Sequence, residues 1–256
     1  MSIAAAVVVY TPGNDREPGP CLESLAPQVD ELVLVSNLPG AAPPPVPPGV
    51  RVLVNDQRLG YAANMNKGIR ATSTEFAIVA NPDAEATPGA VSSLVDFTSS
   101  HPSCGIAGPL VRYPDGSWQA SRRRFPTVSG TLVRRTPIRY ILKPEKRQRS
   151  HYMLDERPEE PAQADWMLTA FLLLRREMFN ELDGFDEGFR PLYGEDIDFC
   201  YRAAKAGWER WFVPQAHVVH DYAAVIDHSF FTSRTLWQWR AVARFVRKHP
   251  ERLRAL

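Results

Sequence analysis

The chain has 256 residues, 30 basic against 29 acidic side chains, a formal net charge of +1 and 44% hydrophobic residues. That length suits a single larger α/β domain without requiring two, and the composition excludes wholesale disorder, a collagen-like repeat and a disulfide scaffold. The near-neutral total hides a segregation by segment: residues 1–111 carry −5, 112–149 carry +9, 150–228 carry −9 and 229–256 carry +6. Blocks of one sign are either solvated surface or binding faces. Cys21, Cys104 and Cys200 stand outside any CxxC or Cys/His cluster, which points to small core residues and a reducing compartment. MSIAAAVVVYTPG lacks the basic start of a signal peptide, and no apolar run reaches spanning length. A cytosolic protein that at most touches a membrane surface is expected.

In chain order, IAAAVVVY (3–10), ELVLV (31–35), VRVLV (50–54) and FAIVA (76–80) are apolar, β-branched runs with helix-compatible segments at 21–29 and 62–73 between them. Such runs read as buried parallel strands of a βαβ wind, so a doubly wound sheet is the first expectation. The five prolines in GAAPPPVPPG (40–49) exclude helix interior and central strand and leave an extended surface connection. TPGAVSSLVDFTSSHP (87–102) reads as a helix with Thr87 as its cap. Segments 104–112 and 117–121, joined by YPDG, predict a hairpin. The charged, proline-punctuated stretch 134–163 reads as a mobile excursion. A buried strand and short helix follow within 164–185, then a helix over EDIDFCYRAAKAG closed by Gly207, strands in WERWFVPQAHVVH, and a final helix.

Four groups of residues carry candidate chemistry. NPDAE (81–85) follows a strand's carboxyl end, the edge at which open α/β sheets bind ligands. A carboxylate there can hold Mg²⁺ or Mn²⁺, although Asn-Pro-Asp is also an ordinary turn. Glu195, Asp196 and Asp198 crowd a helix start; the helix dipole favours acids there, and one of them near a cleft can act as a general base. His217 and His220, three apart in a strand, point to opposite faces, so they form no pair, but one can join Asp83. SRRRFP (121–126) offers guanidinium groups suited to diphosphate. Nucleic acid is disfavoured, since no recognised module accompanies the alternating basic blocks.

In order, VVVYTPG (7–13), NDQRLGYAANMNKGI (55–69), VANPDAE (79–85), DGSWQASRRRFP (115–126), ADWMLTAFLLLRREMFNELDGFDEGF (164–189), YGEDIDFCYRAAKAGW (193–208) and VPQAHVVH (213–220) resemble the family 2 glycosyltransferases, in particular their rhamnosyltransferase branch. The resemblance spans nearly the whole chain. It implies a GT-A-type α/β nucleotide-sandwich fold with a mixed, mostly parallel central sheet flanked by helices: a nucleotide-sugar half (1–111), an acceptor and catalytic half (112–228) and a carboxyl-terminal amphipathic helix (229–256). By the same resemblance, Val9, Tyr10 and Thr11 lie against the nucleoside. Gly60, Asn64 and Lys67 border base and phosphates. Asn81 replaces the first acid of a DXD-like motif whose Asp83 ligates metal, with His220 completing the coordination. Asp196 is the base, Glu195 and Trp166 lie near the sugars, with Trp166 as an apolar platform, and Arg123 faces the departing diphosphate.

The implied reaction is metal-dependent inverting transfer of a sugar, L-rhamnose from dTDP-rhamnose being the leading example, to a glycan or polyprenyl-diphosphate-linked acceptor. The alternatives are a UDP or GDP donor, a sugar-phosphate nucleotidyltransferase and a non-catalytic sugar-nucleotide-binding module. The nucleotidyltransferase is disfavoured because VVVYTPGNDREP lacks a glycine-rich, arginine-containing loop. The chain departs from the family pattern at Ser36-Asn37, where an Asp-Asn pair that reads base or ribose is frequent, at Thr169, where Gly is frequent, and in the proline stretch. In the last helix, Phe230, Phe231, Trp237, Trp239 and Phe245 interleave with Arg234, Arg240, Arg244, Arg247 and Lys248. That pattern suits an anionic membrane surface on the inner face of the plasma membrane, while core packing or a homodimer seam accounts for the aromatics equally well.

Overall fold

The computed structural model describes residues 3–13, 15–127, 151–153, 155–191, 193–221 and 233–253. The four apolar runs form parallel strands β1 (Ala4–Tyr10), β2 (Glu31–Ser36), β3 (Arg51–Val54) and β4 (Phe76–Ala80), ordered β3-β2-β1-β4. Strand β1 is buried at every position, which explains why its sequence shows no alternation. Ala4, Ala6, Val8 and Tyr10 enter one core layer with Cys21, Leu22 and Leu25 of α1 (Gly19–Leu25) and Leu94 of α3 (Ala90–Ser100). Val7 and Val9 enter the other, with Met65 and Ile69 of α2 (Tyr61–Arg70). A β-carbon on Gly68 would lie 2.2 Å from Val7 Cγ1, so glycine there sets how closely α2 approaches the sheet.

Past β4 the sheet becomes mixed, continuing as β10 (Phe171–Arg175), β6 (Cys104–Arg112), β11 (Glu209–His220) and β5 (Ala84–Ala86). Strand β10 runs antiparallel to both β4 and β6, β6 and β11 are parallel, and β5 and β8 (Ala162–Gln163) pair antiparallel with β11. Among the described residues this makes one nine-stranded sheet whose longer ladders are parallel. The wound pattern stops at β4, because β10 enters the sheet centre in the opposite direction. Helices α4 (Arg176–Glu181), α5 (Glu195–Lys205) and α6 (Ser233–Lys248) complete the layers, with Gly207 at φ +90° closing α5 as expected.

Four expectations change. The hairpin is half formed, since Trp118 makes only an isolated bridge to Arg112. Both lanes beside β6 are taken by β10 and β11, so the chain peels away as β7 (Arg122–Arg123) and pairs with β9 (Trp166–Met167) in a separate ribbon. Thr87 does not cap α3, which Gly89 precedes at φ +83°. With 84–86 paired to β11, Thr87 Oγ1 instead donates to His217 O at 3.0 Å. WERWFVPQAHVVH forms one long strand, with a register irregularity between Val213 and His217, around Pro214. The expected basic-aromatic face of the last helix is divided: Phe245 is buried against Tyr201 and His249, and Arg244 and Lys248 turn inward to Asp186. Leu236, Arg240 and Arg247 are exposed. Phe230 and Phe231, like residues 134–150 of the charged excursion, lie outside the described residues.

Candidate active site

The carboxyl end of β4 runs into Asn81-Pro82-Asp83, and β5 then pairs with β11 so that Ala84 opposes His220. That register joins two distant parts of the chain. His220 is buried, with Nε2 3.2 Å from Asp83 Oδ1, while exposed His217 faces away. His220 Nδ1 lies 2.8 Å from Gln119 Oε1. A carboxamide oxygen only accepts, so Nδ1 is the nitrogen that donates to Gln119, and this bond turns Nε2 toward Asp83. The Tyr61 hydroxyl donates to Asn81 Oδ1 at 2.7 Å, which turns Asn81 Nδ2 toward His220 Nε2 at 3.4 Å. Asn81 therefore spends its oxygen on Tyr61 and orients the imidazole.

The ends of β1, β2 and β3 meet in a buried amide network. Asn37 Oδ1 accepts from Asn55 Nδ2 (2.9 Å) and from Leu59 N–H (2.8 Å), and Asn37 Nδ2 donates to Leu59 O (3.1 Å). Asn55 Nδ2 also donates to Asn64 Oδ1 at 2.6 Å, and Lys67 Nζ to Asn55 Oδ1 at 2.8 Å. Asn64 is fully buried behind Asn55 and its Nδ2 has no partner. Val9 and Tyr10 are core residues, the latter anchored through its hydroxyl to Glu17 (2.7 Å). Thr11 is nearly buried, and its N–H donates to Asp15 Oδ2 at 2.6 Å. Gly60 precedes α2, against Arg190 and Pro191.

Pro191 O accepts from Tyr61 N–H at 3.1 Å, so the loop entering α5 touches the start of α2. Tyr193 and Gly194 both have left-handed backbone, at φ +82° and +88°, and that turn delivers the acidic cluster. Its members then diverge. Asp198 is fully buried and bonded to Arg202 (2.8 Å), Lys248 (2.9 Å) and His249 (2.8 Å), a structural anchor for α6. Glu195 is buried, its Oε2 unpartnered; burial, then the Asp196 charge, pushes its carboxyl up to about 8. Asp196 is half-buried and its Oδ1 accepts from Ile197 N–H at 2.8 Å. Unequal surroundings of this kind push the titrations of adjacent carboxyls apart. Burial, then Glu195, also raises the Tyr61 phenol.

The arginine triplet also separates. Arg122 and Arg124 share Glu156 at 2.9 and 2.6 Å. Arg123 lies over the rings of Tyr152 (4.8 Å) and Trp166 (5.0 Å). Trp166 is 4% exposed, its Nε1 donating to Arg124 O at 2.9 Å, so its ring is packed under Arg123 and offers no open platform. Three residues the sequence reading passed over are central to the geometry: Tyr61, Asn55 and Gln119. All lie inside motifs quoted above, where an aromatic or amide of ordinary type carries no chemical signature until its partner is known. Among the described residues no group of three or more His, Cys, Asp or Glu side chains gathers to hold a metal. None of the described helices is long and apolar enough to cross a membrane.

A mixed, mostly parallel sheet flanked by helices, with Asp83 and His220 at its edge, is the architecture of the GT-A fold. The structure of GalNAc-T7 with UDP, GalNAc and Mn²⁺ superimposes with a TM-score of 0.66 at 18% identity, covering 96% of this chain and 48% of that one, so this chain spans about half of that neighbour. The family model for glycosyl transferase family 2 matches residues 20–182. The N-acetylglucosaminyl-diphospho-decaprenol L-rhamnosyltransferase of Mycobacterium tuberculosis is 32% identical over 246 residues, 86% of this chain and 76% of the relative. Rhamnosyltransferase WbbL of Escherichia coli K12 is 37% identical over 82 residues, 32% of this chain and 30% of the relative. The chain belongs to glycosyl transferase family 2, with rhamnosyltransferases among its relatives.

Proposed function

We propose that this enzyme transfers a sugar, L-rhamnose from dTDP-rhamnose, with inversion to a polyprenyl-diphosphate-linked sugar acceptor. The choice of sugar and acceptor rests on the activity that names the mycobacterial relative and on its 32% identity over 86% of this chain. The observation that carries the catalytic reading is the Asp83–His220 pair at 3.2 Å on the sheet's carboxyl edge. One carboxylate, with an imidazole whose ring Gln119 orients, is a donor set that fits Mn²⁺ or Mg²⁺ and leaves positions for phosphate oxygens. A bound ion would supply positive charge to the departing diphosphate.

The chain's own residues do the rest. Asp196 accepts the proton of the acceptor hydroxyl as that oxygen bonds to the anomeric carbon. On the opposite face the bond from that carbon to the diphosphate oxygen breaks, its electron pair leaving with the nucleotide. Single displacement inverts the centre. Glu195, neutral beside Asp196, leaves the negative charge on the base. Asn37, Asn55 and Lys67, with Asn64 behind them and Val9, Tyr10, Thr11 and Gly60 alongside, form the nucleoside edge. The exposed Leu236, Arg240 and Arg247 of α6 are assigned to an anionic membrane surface, which flotation with anionic against neutral liposomes tests. Asp196→Asn is expected to abolish transfer and keep donor binding, and chelation to abolish transfer and weaken donor binding. Full turnover by the variant removes Asp196 as base, and EDTA-insensitive activity removes the metal. A thermal-shift panel of dTDP-, UDP- and GDP-sugars with and without Mn²⁺ identifies the donor.

A further inference from the structure

The Arg123 guanidinium is stacked on aromatic rings and makes fewer polar contacts than Arg122. It lies 4.8 Å from the Tyr152 ring centre and 5.0 Å from that of Trp166, and His151 lies 6.2 Å from the same indole. Among the described residues its one hydrogen bond runs from Nε to Ala120 O at 3.2 Å. Arg122 and Arg124 are neutralised by Glu156, whereas Arg123 has no carboxylate partner among the described residues. Stacking fixes the plane of a guanidinium without using its terminal N–H groups, and an oriented, uncompensated fork suits bidentate recognition of a phosphate.

Its place in the fold ties it to the helix that carries Asp196. Among the described residues strand β7, which carries Arg123, pairs with β9 alone, in a ribbon apart from the main sheet. The β9 residues Trp166 and Met167 pack in one core layer with Phe199 and Cys200 of α5, the helix whose first turn presents Asp196. The opposite end of the same segment, Gln119, holds His220. In the reading above, the side that carries the base receives the acceptor.

Resting on the reading above, we propose that Arg123, framed by Tyr152 and Trp166, is an anion-recognising subsite that takes the diphosphate of the acceptor and sets the preference for phosphate-bearing over neutral acceptors. This departs from the expectation that Arg123 faces the donor's leaving group.

The test measures binding of inorganic diphosphate and of farnesyl diphosphate by calorimetry at saturating dTDP, in wild type, Arg123→Gln, Arg123→Lys and Asp83→Asn. Both probes are expected to bind wild type and Asp83→Asn alike and to weaken about ten- to a hundredfold in Arg123→Gln, with a smaller loss in Arg123→Lys. Thermal unfolding midpoints and donor thermal shifts of the Arg123 variants should match wild type, separating lost recognition from lost fold. In transfer assays the KM for a prenyl-diphosphate-linked sugar should rise in Arg123→Gln, with the KM for donor and for a neutral glycoside of the same sugar unchanged. Unaltered binding in Arg123→Gln overturns the proposal. So does displacement of the probes by dTDP, which places them at the donor edge, or an equal loss with the neutral glycoside. Retained binding without transfer from any donor would instead sink the glycosyl-transfer reading and leave the subsite standing.

Discussion

Replacing Glu195 by Gln tests the electrostatic division of the acidic pair. Glu195 is 6% exposed and its Oε2 has no partner, and its carboxyl is raised from 4.5 to about 8 by burial first and the Asp196 charge second. Because the folded value lies above the unfolded one, the neutral form's contribution is fully present below about pH 4.5 and is lost as pH rises toward 8. Each pH unit in that window costs about 1.4 kcal/mol, so the ceiling on the loss is about 5 kcal/mol, and local relaxation brings the expectation to about 2–5 kcal/mol. The glutamine variant keeps the shape and removes the titration. Urea unfolding of both proteins at pH 5, 7 and 9 isolates this residue, since the remaining carboxylates titrate in both. Wild type should lose stability relative to Glu195→Gln as pH rises, with most of the difference present by pH 7. Parallel pH profiles, within about 0.5 kcal/mol, would refute the argument that Glu195 is neutral in the folded protein.

Asp198→Ala strands Arg202, Lys248 and His249 without their shared buried acceptor and should cost about 3–5 kcal/mol in chemical denaturation; a cost under about 1 kcal/mol would show the anchor to be dispensable. Gly68→Ala forces a β-carbon onto Val7 Cγ1 at 2.2 Å, and a loss of about 1–3 kcal/mol is expected. Gln119→Leu removes the acceptor at 2.8 Å that orients the His220 ring. Mn²⁺ affinity measured with dTDP bound should fall about ten- to a hundredfold, and an unchanged affinity would remove Gln119 from that role.

Much of this architecture was legible in the sequence because it rests on local periodicity. Continuous apolar runs such as IAAAVVVY mark strands buried on both faces, and the acids opening α5 with Gly207 closing it mark a helix whatever surrounds it. Asn81-Pro82-Asp83 and His220 were candidates by residue type, but an ordinary turn accounts for the first equally well until β5 docks on β11 and brings Asp83 to His220. Pairings were not legible. Thr87 reads as a helix cap until β5 docks on β11 and offers it His217 O, and 117–121 reads as a hairpin arm until β10 and β11 occupy both sides of β6. Trp166 has the composition of a sugar platform, yet the β7–β9 ribbon packs it beneath Arg123.

The acidic cluster shows the same division most clearly. Sequence alone determined that three carboxylates sit in the first turn of α5, because helix periodicity and dipole depend on neighbours in the chain. Only the tertiary structure decided that Asp198 anchors α6, that burial raises the Glu195 carboxyl and that Asp196 stays half-buried at the helix start. Those roles depend on burial and on charges contributed from far along the chain, Lys248 and His249 among them, and no local pattern encodes which distant groups will share a carboxylate's surroundings.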